Sequence, residues 1–128
     1  MPAWNDYKKE AKARGCLAYE LYIVDTVVAS SPELVKATLM EHLAYQREME
    51  IQGKLAFAGP VSDESGELMQ GNGLVIYKAS SLDEAREIAE NDPMHQSGAR
   101  TYTLRRWLIN EGSISLNVGL STGNISLS

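Results

Sequence analysis

The chain has 128 residues, with 12 lysines and arginines against 17 aspartates and glutamates, giving a formal net charge of −5. That length accommodates one domain, and 44% hydrophobic with 23% charged residues is the composition of a globular chain, which excludes disorder as the overall state. An acidic balance argues against nucleic acid and against an anionic membrane surface as partners, because both are bound through clustered Lys and Arg.

The N-terminal stretch 1–15 is mixed charged and helical in character, and it lacks the apolar core of a secretory signal. No 18-residue apolar run occurs anywhere, and the single cysteine, Cys16, has no partner for an internal disulfide. The expectation is a soluble cytoplasmic protein.

Residues 16–28 (CLAYELYIVDTVV) alternate and are rich in β-branched and aromatic side chains, which predicts a first strand. Ser30 and Ser31 followed by Pro32 and Glu33 give a helix start, with a hydroxyl cap, proline in the first turn and Glu33 placed to close a capping box. This helix should run to about Gln52 and stop at Gly53. A short apolar strand over 54–60 then ends at Gly59 and Pro60, and the polar stretch 61–70 reads as an exposed connection. A third strand covers 71–80. Ser81, Leu82, Asp83 and Glu84 repeat the capping pattern, and Leu82, Ala85, Ile88 and Ala89 supply one apolar stripe, so a second core helix should end near Asn91, before Pro93. The segment 100–110 alternates as a fourth strand. In the tail, 113–128, the alternation of Ile114, Leu116 and Val118, a Ser-Thr-Gly-Asn turn signal and then Ile125 and Leu127 predicts a terminal β-hairpin.

The order is β-α-β-β-α-β, the split-βαβ or ferredoxin-like α+β plan, in which two helices cover one face of an antiparallel sheet. The expected organisation is a helical lead over 1–15, the ferredoxin-like domain over 16–112 and the hairpin extension over 113–128. The second sheet face is also apolar, since Trp107 and Ile109 point opposite to Leu104 and Leu108. Such a face on a small domain predicts a homodimer packed sheet on sheet.

The runs Glu41-His42-Leu43-Ala44, 53–67 (GKLAFAGPVSDESGE), 73–93 (GLVIYKASSLDEAREIAENDP) and Leu104-Arg105-Arg106-Trp107 together resemble the YciI-related family, over roughly 17–110. The resemblance implies a dimeric α+β barrel, similar in fold to muconolactone isomerases and small monooxygenases. In this family a histidine on the first core helix and an aspartate after the second form a proposed active site, and the matching positions are His42 and Asp92. A few relatives act as lyases or isomerases on ring compounds, one of them a dehydrochlorinase. The lead and the hairpin depart from the short family pattern.

Read from the residues, each position keeps two meanings. At 100° per residue Val35, Leu39, His42, Gln46 and Met49 fall within about 80° of one another, so His42 faces the sheet, either as a hydrogen-bonded structural residue or as a proton carrier near neutral pH. Asp92 before Pro93 is either a helix-end cap or the group that orients His42; the second role requires contact at about 2.6–3.2 Å. His95, three residues on, reads as a solvent-exposed loop residue or a substrate contact. Gly59 and Pro60 shape the loop beside the implied cleft. Arg100, Arg105 and Arg106 are cations able to hold a carboxylate, with Arg105 taken as a substrate contact, and one of the Arg105–Arg106 pair must point off the core face.

The reading is a small enzyme working without metal or cofactor, in which His42 transfers a proton on a small organic acid or ring compound. The alternative is a non-catalytic ligand-binding or regulatory module using the same cavity; a pure assembly protein predicts no cavity beside His42.

Overall fold

The computed structural model describes residues 1–127. In chain order the elements are α1 (Trp4–Ala13), β1 (Tyr19–Val28), α2 (Pro32–Ile51), β2 (Leu55–Ser62), β3 (Met69–Tyr77), α3 (Leu82–Glu90), α4 (Pro93–Gln96), β4 (Arg100–Ile109), β5 (Leu116–Val118) and β6 (Ile125–Leu127). They form two compact units: Glu20–Trp107, and a second that gathers Met1–Tyr19 with the segment from Leu108 onward.

The first unit carries the ferredoxin-like α+β fold. Its sheet has the order β2-β3-β1-β4, with β3 antiparallel to both β1 and β2. The register sets Tyr22 opposite Tyr77 and Val24 opposite Val75. Alternation then puts all four on one face, where they form the core with Met49 of α2 and Ala85, Ile88 and Ala89 of α3. On the other face Phe57 and Trp107 remain about half exposed.

Local chemistry fixes the element ends. Ala18 sits at φ +50°, a left-handed backbone, so the chain enters β1 at Tyr19 rather than at Cys16. The cap of α2 is Ser31, whose hydroxyl accepts from the Leu34 N–H at 3.2 Å. Leu34 therefore occupies the third helical position, and Glu33 closes no capping box. Gly53, at φ +75°, ends the helix as expected. β2 runs on through Pro60 because it is an edge strand, where the missing N–H costs no ladder bond. The polar connection is correspondingly short, tied by Asp63, which accepts from Gly66 N–H and the Ser65 hydroxyl. At α3, Ser81 accepts from Glu84 N–H at 3.1 Å while Glu84 reaches back to Ser80.

Within the second unit, Leu17 N–H donates to the Asn110 carbonyl at 3.1 Å. The expected terminal hairpin is present, pairing Leu116 with Leu127 and Val118 with Ile125 on one side and Asn117 with Ser126 on the other. Among the described residues no helix is long and apolar enough to cross a membrane.

Candidate active site

The site grows from one face of α2. Val35, Leu39, His42, Leu43 and Gln46 of this helix border a cavity of about 300 Å³, and β2 and β3 supply the facing wall. Asp92 enters from the link between α3 and α4, and Arg100 from the first position of β4.

Pro93 makes this link helical rather than a loop. Proline suits the first turn of a helix, and Asp92 caps α4 by accepting from Met94 N–H at 2.9 Å. The same carboxylate lies 2.9 Å from His42 Nδ1 through both of its oxygens. Capping and orienting are thus simultaneous roles of one residue. Gln46, one turn after His42, adds a third donor, its Nε2 lying 3.2 Å from Asp92 Oδ2 and 3.1 Å from the Tyr77 hydroxyl.

Asp92 is 1% exposed. Burial works against its charge, but the hydrogen bonds from His42 and Met94 outweigh it and hold its pKa below the usual carboxylate range. The carboxylate is therefore ionised and can only accept. His42 must donate through Nδ1–H, so Nε2 is the ring nitrogen left to exchange a proton, on a side chain 21% exposed at the cavity. The same logic orients Gln46: its NH₂ faces the carboxylate, so its carbonyl Oε1 is the end without a donor. Burial raises the Tyr77 phenol and keeps it protonated.

His95 differs from the exposed loop residue expected. It lies on α4, partly buried, with both ring nitrogens engaged. Nδ1 is 2.7 Å from the Ala89 carbonyl, which only accepts, so Nδ1 carries the proton; Nε2 lies in hydrogen-bond contact with the Thr26 hydroxyl at 2.9 Å. His95 packs against Tyr102 with the ring centres 4.5 Å apart and the planes tilted by 38°, and it does not border the cavity; Thr26, its hydrogen-bond partner, does.

Gly59 and Pro60 line the cavity. Arg105 does not. It is exposed, and strand alternation explains why: Arg100, Tyr102 and Leu104 share one side of β4 and Arg105 takes the other. Arg100 is the cation at the cavity. Gln46 and Thr26 are thus site residues to which the sequence assigned no such place, and of the three arginines able to hold a carboxylate it is Arg100, not Arg105, that lines the cavity. For Gln46 a signal existed, an uncharged polar side chain four residues after His42 on the sheet-facing stripe. Among the described residues no three His, Cys, Asp or Glu side chains gather as a metal-ligand set.

The chain belongs to the YCII-related domain family, which matches residues 17–108. It is 32% identical over 66 residues to the uncharacterized protein YjpA of Bacillus subtilis (strain 168), an alignment covering 52% of this chain and 71% of that one. In structure it is similar to the 5-chloro-2-hydroxyhydroquinone dehydrochlorinase TftG of Burkholderia phenoliruptrix AC1100, determined as a complex with 2,5-dihydroxybenzoquinone. The TM-score is 0.53 at 22% identity, covering 67% of this chain and 92% of the other, a likeness in fold.

Proposed function

We propose that the protein is a small enzyme in which His42 Nε2 moves a proton to or from a small organic acid or ring compound bound in the cavity. One observation carries this reading: both oxygens of the buried, ionised Asp92 hold His42 Nδ1–H at 2.9 Å, which leaves Nε2 as the ring nitrogen free to exchange a proton at an open cavity. A base whose tautomer is fixed by a carboxylate is the arrangement that proton transfer requires. In the forward step a C–H or O–H bond of the substrate breaks, its proton goes to Nε2, and the electron pair stays on the substrate. Asp92 stabilises the imidazolium that results, and protonated His42 can return the proton at another position or to a leaving group. Isomerisation and elimination both fit that sequence.

Among the described residues the cavity lining holds no serine or cysteine, and its Thr26 hydroxyl is engaged with His95 rather than His42, which favours proton transfer over acyl transfer. The family membership and the ring-directed dehydrochlorinase of similar fold support a compact cyclic substrate. The half-exposed Phe57 and Trp107 support a homodimer through the uncovered sheet face.

The test is turnover of lactone and halogenated-hydroquinone substrates by wild type and His42→Ala. Loss of a positioned general base costs about 10²–10⁴-fold in rate. Equal turnover by the two proteins removes His42 from the mechanism, and a ligand bound but recovered unchanged favours a binding module.

A further inference from the structure

Arg100 lines the same cavity from the helix-facing side of β4. Its guanidinium is partly buried, and Nη1 donates to the Thr26 carbonyl at 3.3 Å. Among the described residues Arg100 forms no ion pair. Burial lowers its pKa, partly offset by the charge of Asp92. The two form no ion pair, and the Asp92 oxygens accept from His42, from Met94 N–H and from Gln46.

A guanidinium stays charged at neutral pH and carries five N–H donors in a planar fork matched to oxyanions. Placing that fork in a partly desolvated wall without an anion has a cost that an anionic ligand would reverse. Elsewhere the wall is largely apolar, including Leu39, Leu43, Pro60, Met69 and Met94. The polar side chains of the wall are Thr26, Gln46, Asn72, Arg100 and the His42–Asp92 pair.

We infer that Arg100 is an anion anchor and that the cavity takes a small ring compound bearing a carboxylate, phenolate or enolate oxygen. The oxyanion pairs with the guanidinium and the ring lies against the apolar wall. This deepens the proton-transfer reading and rests on it for the ring's orientation toward His42, whereas the preference for an anion is a property of Arg100 alone.

The experiment is calorimetric titration of benzoate and of its neutral isostere benzamide into wild type, Arg100→Gln and Arg100→Lys. Wild type should bind benzoate at least tenfold more tightly than benzamide. Arg100→Gln should bring the two within about twofold of each other, and Arg100→Lys should retain part of the preference because a point charge remains. A salt titration of wild type gives the same answer should Arg100→Gln not fold: benzoate affinity falls with ionic strength and benzamide affinity does not. Equal affinities in wild type, a preference surviving Arg100→Gln, a benzoate affinity indifferent to salt, or binding of neither compound each overturn the inference. An anion preference in a protein whose turnover ignores His42 keeps the anchor and removes the proton-transfer reading.

Discussion

Replacing Asp92 by asparagine changes one atom at a residue that is 1% exposed and accepts hydrogen bonds from His42 Nδ1, Met94 N–H and Gln46 Nε2. An asparagine keeps one accepting oxygen, and the helix cap at Met94 N–H is its least adjustable partner. Its NH₂ must then face His42 and Gln46, both of which donate in the wild type. Gln46 can turn its amide so that Oε1 accepts. His42 can meet the new donor only by moving its proton from Nδ1 to Nε2. A hydrogen bond to a charged group contributes about 1.5–3 kcal/mol, and losing that charge while the neighbours rearrange should cost about 2 kcal/mol. At about 4 °C per kcal/mol for a domain of this size, the melting temperature should fall by roughly 8 °C. The tautomer change takes the lone pair away from the cavity, and activity should fall by about 10²–10⁴-fold, the full contribution of a general base. Thermal unfolding measures the first effect, and nitrogen chemical shifts of His42 the second. An unchanged melting temperature together with His42 still protonated on Nδ1 would refute the view that an ionised Asp92 fixes the ring.

The pH dependence has a definite sign. Because the folded-state pKa of Asp92 is lowered, its contribution to stability is present above the ordinary carboxylate pKa of about 4 and is lost as pH falls through the lowered value. The stability gap between wild type and Asp92→Asn should therefore narrow on acidification below about pH 4, read from urea midpoints; a constant gap contradicts the assignment. Gln46→Glu sets a second carboxylate where Nε2 now lies 3.2 Å from Asp92, and two such groups must share a proton. This variant should be markedly less stable at pH 8 than at pH 5, whereas indifference to pH would mean that the side chain swings out to water. Gly71 takes φ +80°, and a Cβ there would meet Val28 Cγ2 at 2.8 Å, so Gly71→Ala should cost about 1–3 kcal/mol in urea unfolding. No loss would show that the β3 backbone relaxes.

The element order, the edges of α2 and α3 and the terminal hairpin were legible because each rests on local chemistry: the Ser31 and Ser81 caps, Gly53, and the alternation of 116–118 and 125–127. The sheet-facing position of His42 followed from periodicity alone. Beyond that, local rules met tertiary ones. Pro60 reads as a strand end in sequence, yet it continues β2 because β2 lies at the sheet edge, a fact of strand order. The single turn after Pro93 was missed because four residues carry no periodicity, and with it went the proper environment of His95. Arg105 and Arg100 are chemically alike, and only the register of β4 against the core selects Arg100 for the cavity. The contact of His42 with Asp92 spans 50 residues of chain, so nothing local could give its distance. Gln46 was on the correct stripe, but its role depends on an Asp92 carboxylate brought in by another element.

The central claim, that His42 Nε2 exchanges protons with a bound carbon acid, is tested most directly by incubating wild type and His42→Ala with the lactone and halogenated-hydroquinone compounds in D₂O and following deuterium incorporation at the acidic carbon by NMR. The account predicts incorporation with wild type, even without net turnover, and a rate at least about 10²-fold lower for His42→Ala. Deuterium entering at the same rate in both proteins, or no faster with wild type than in buffer, would contradict it.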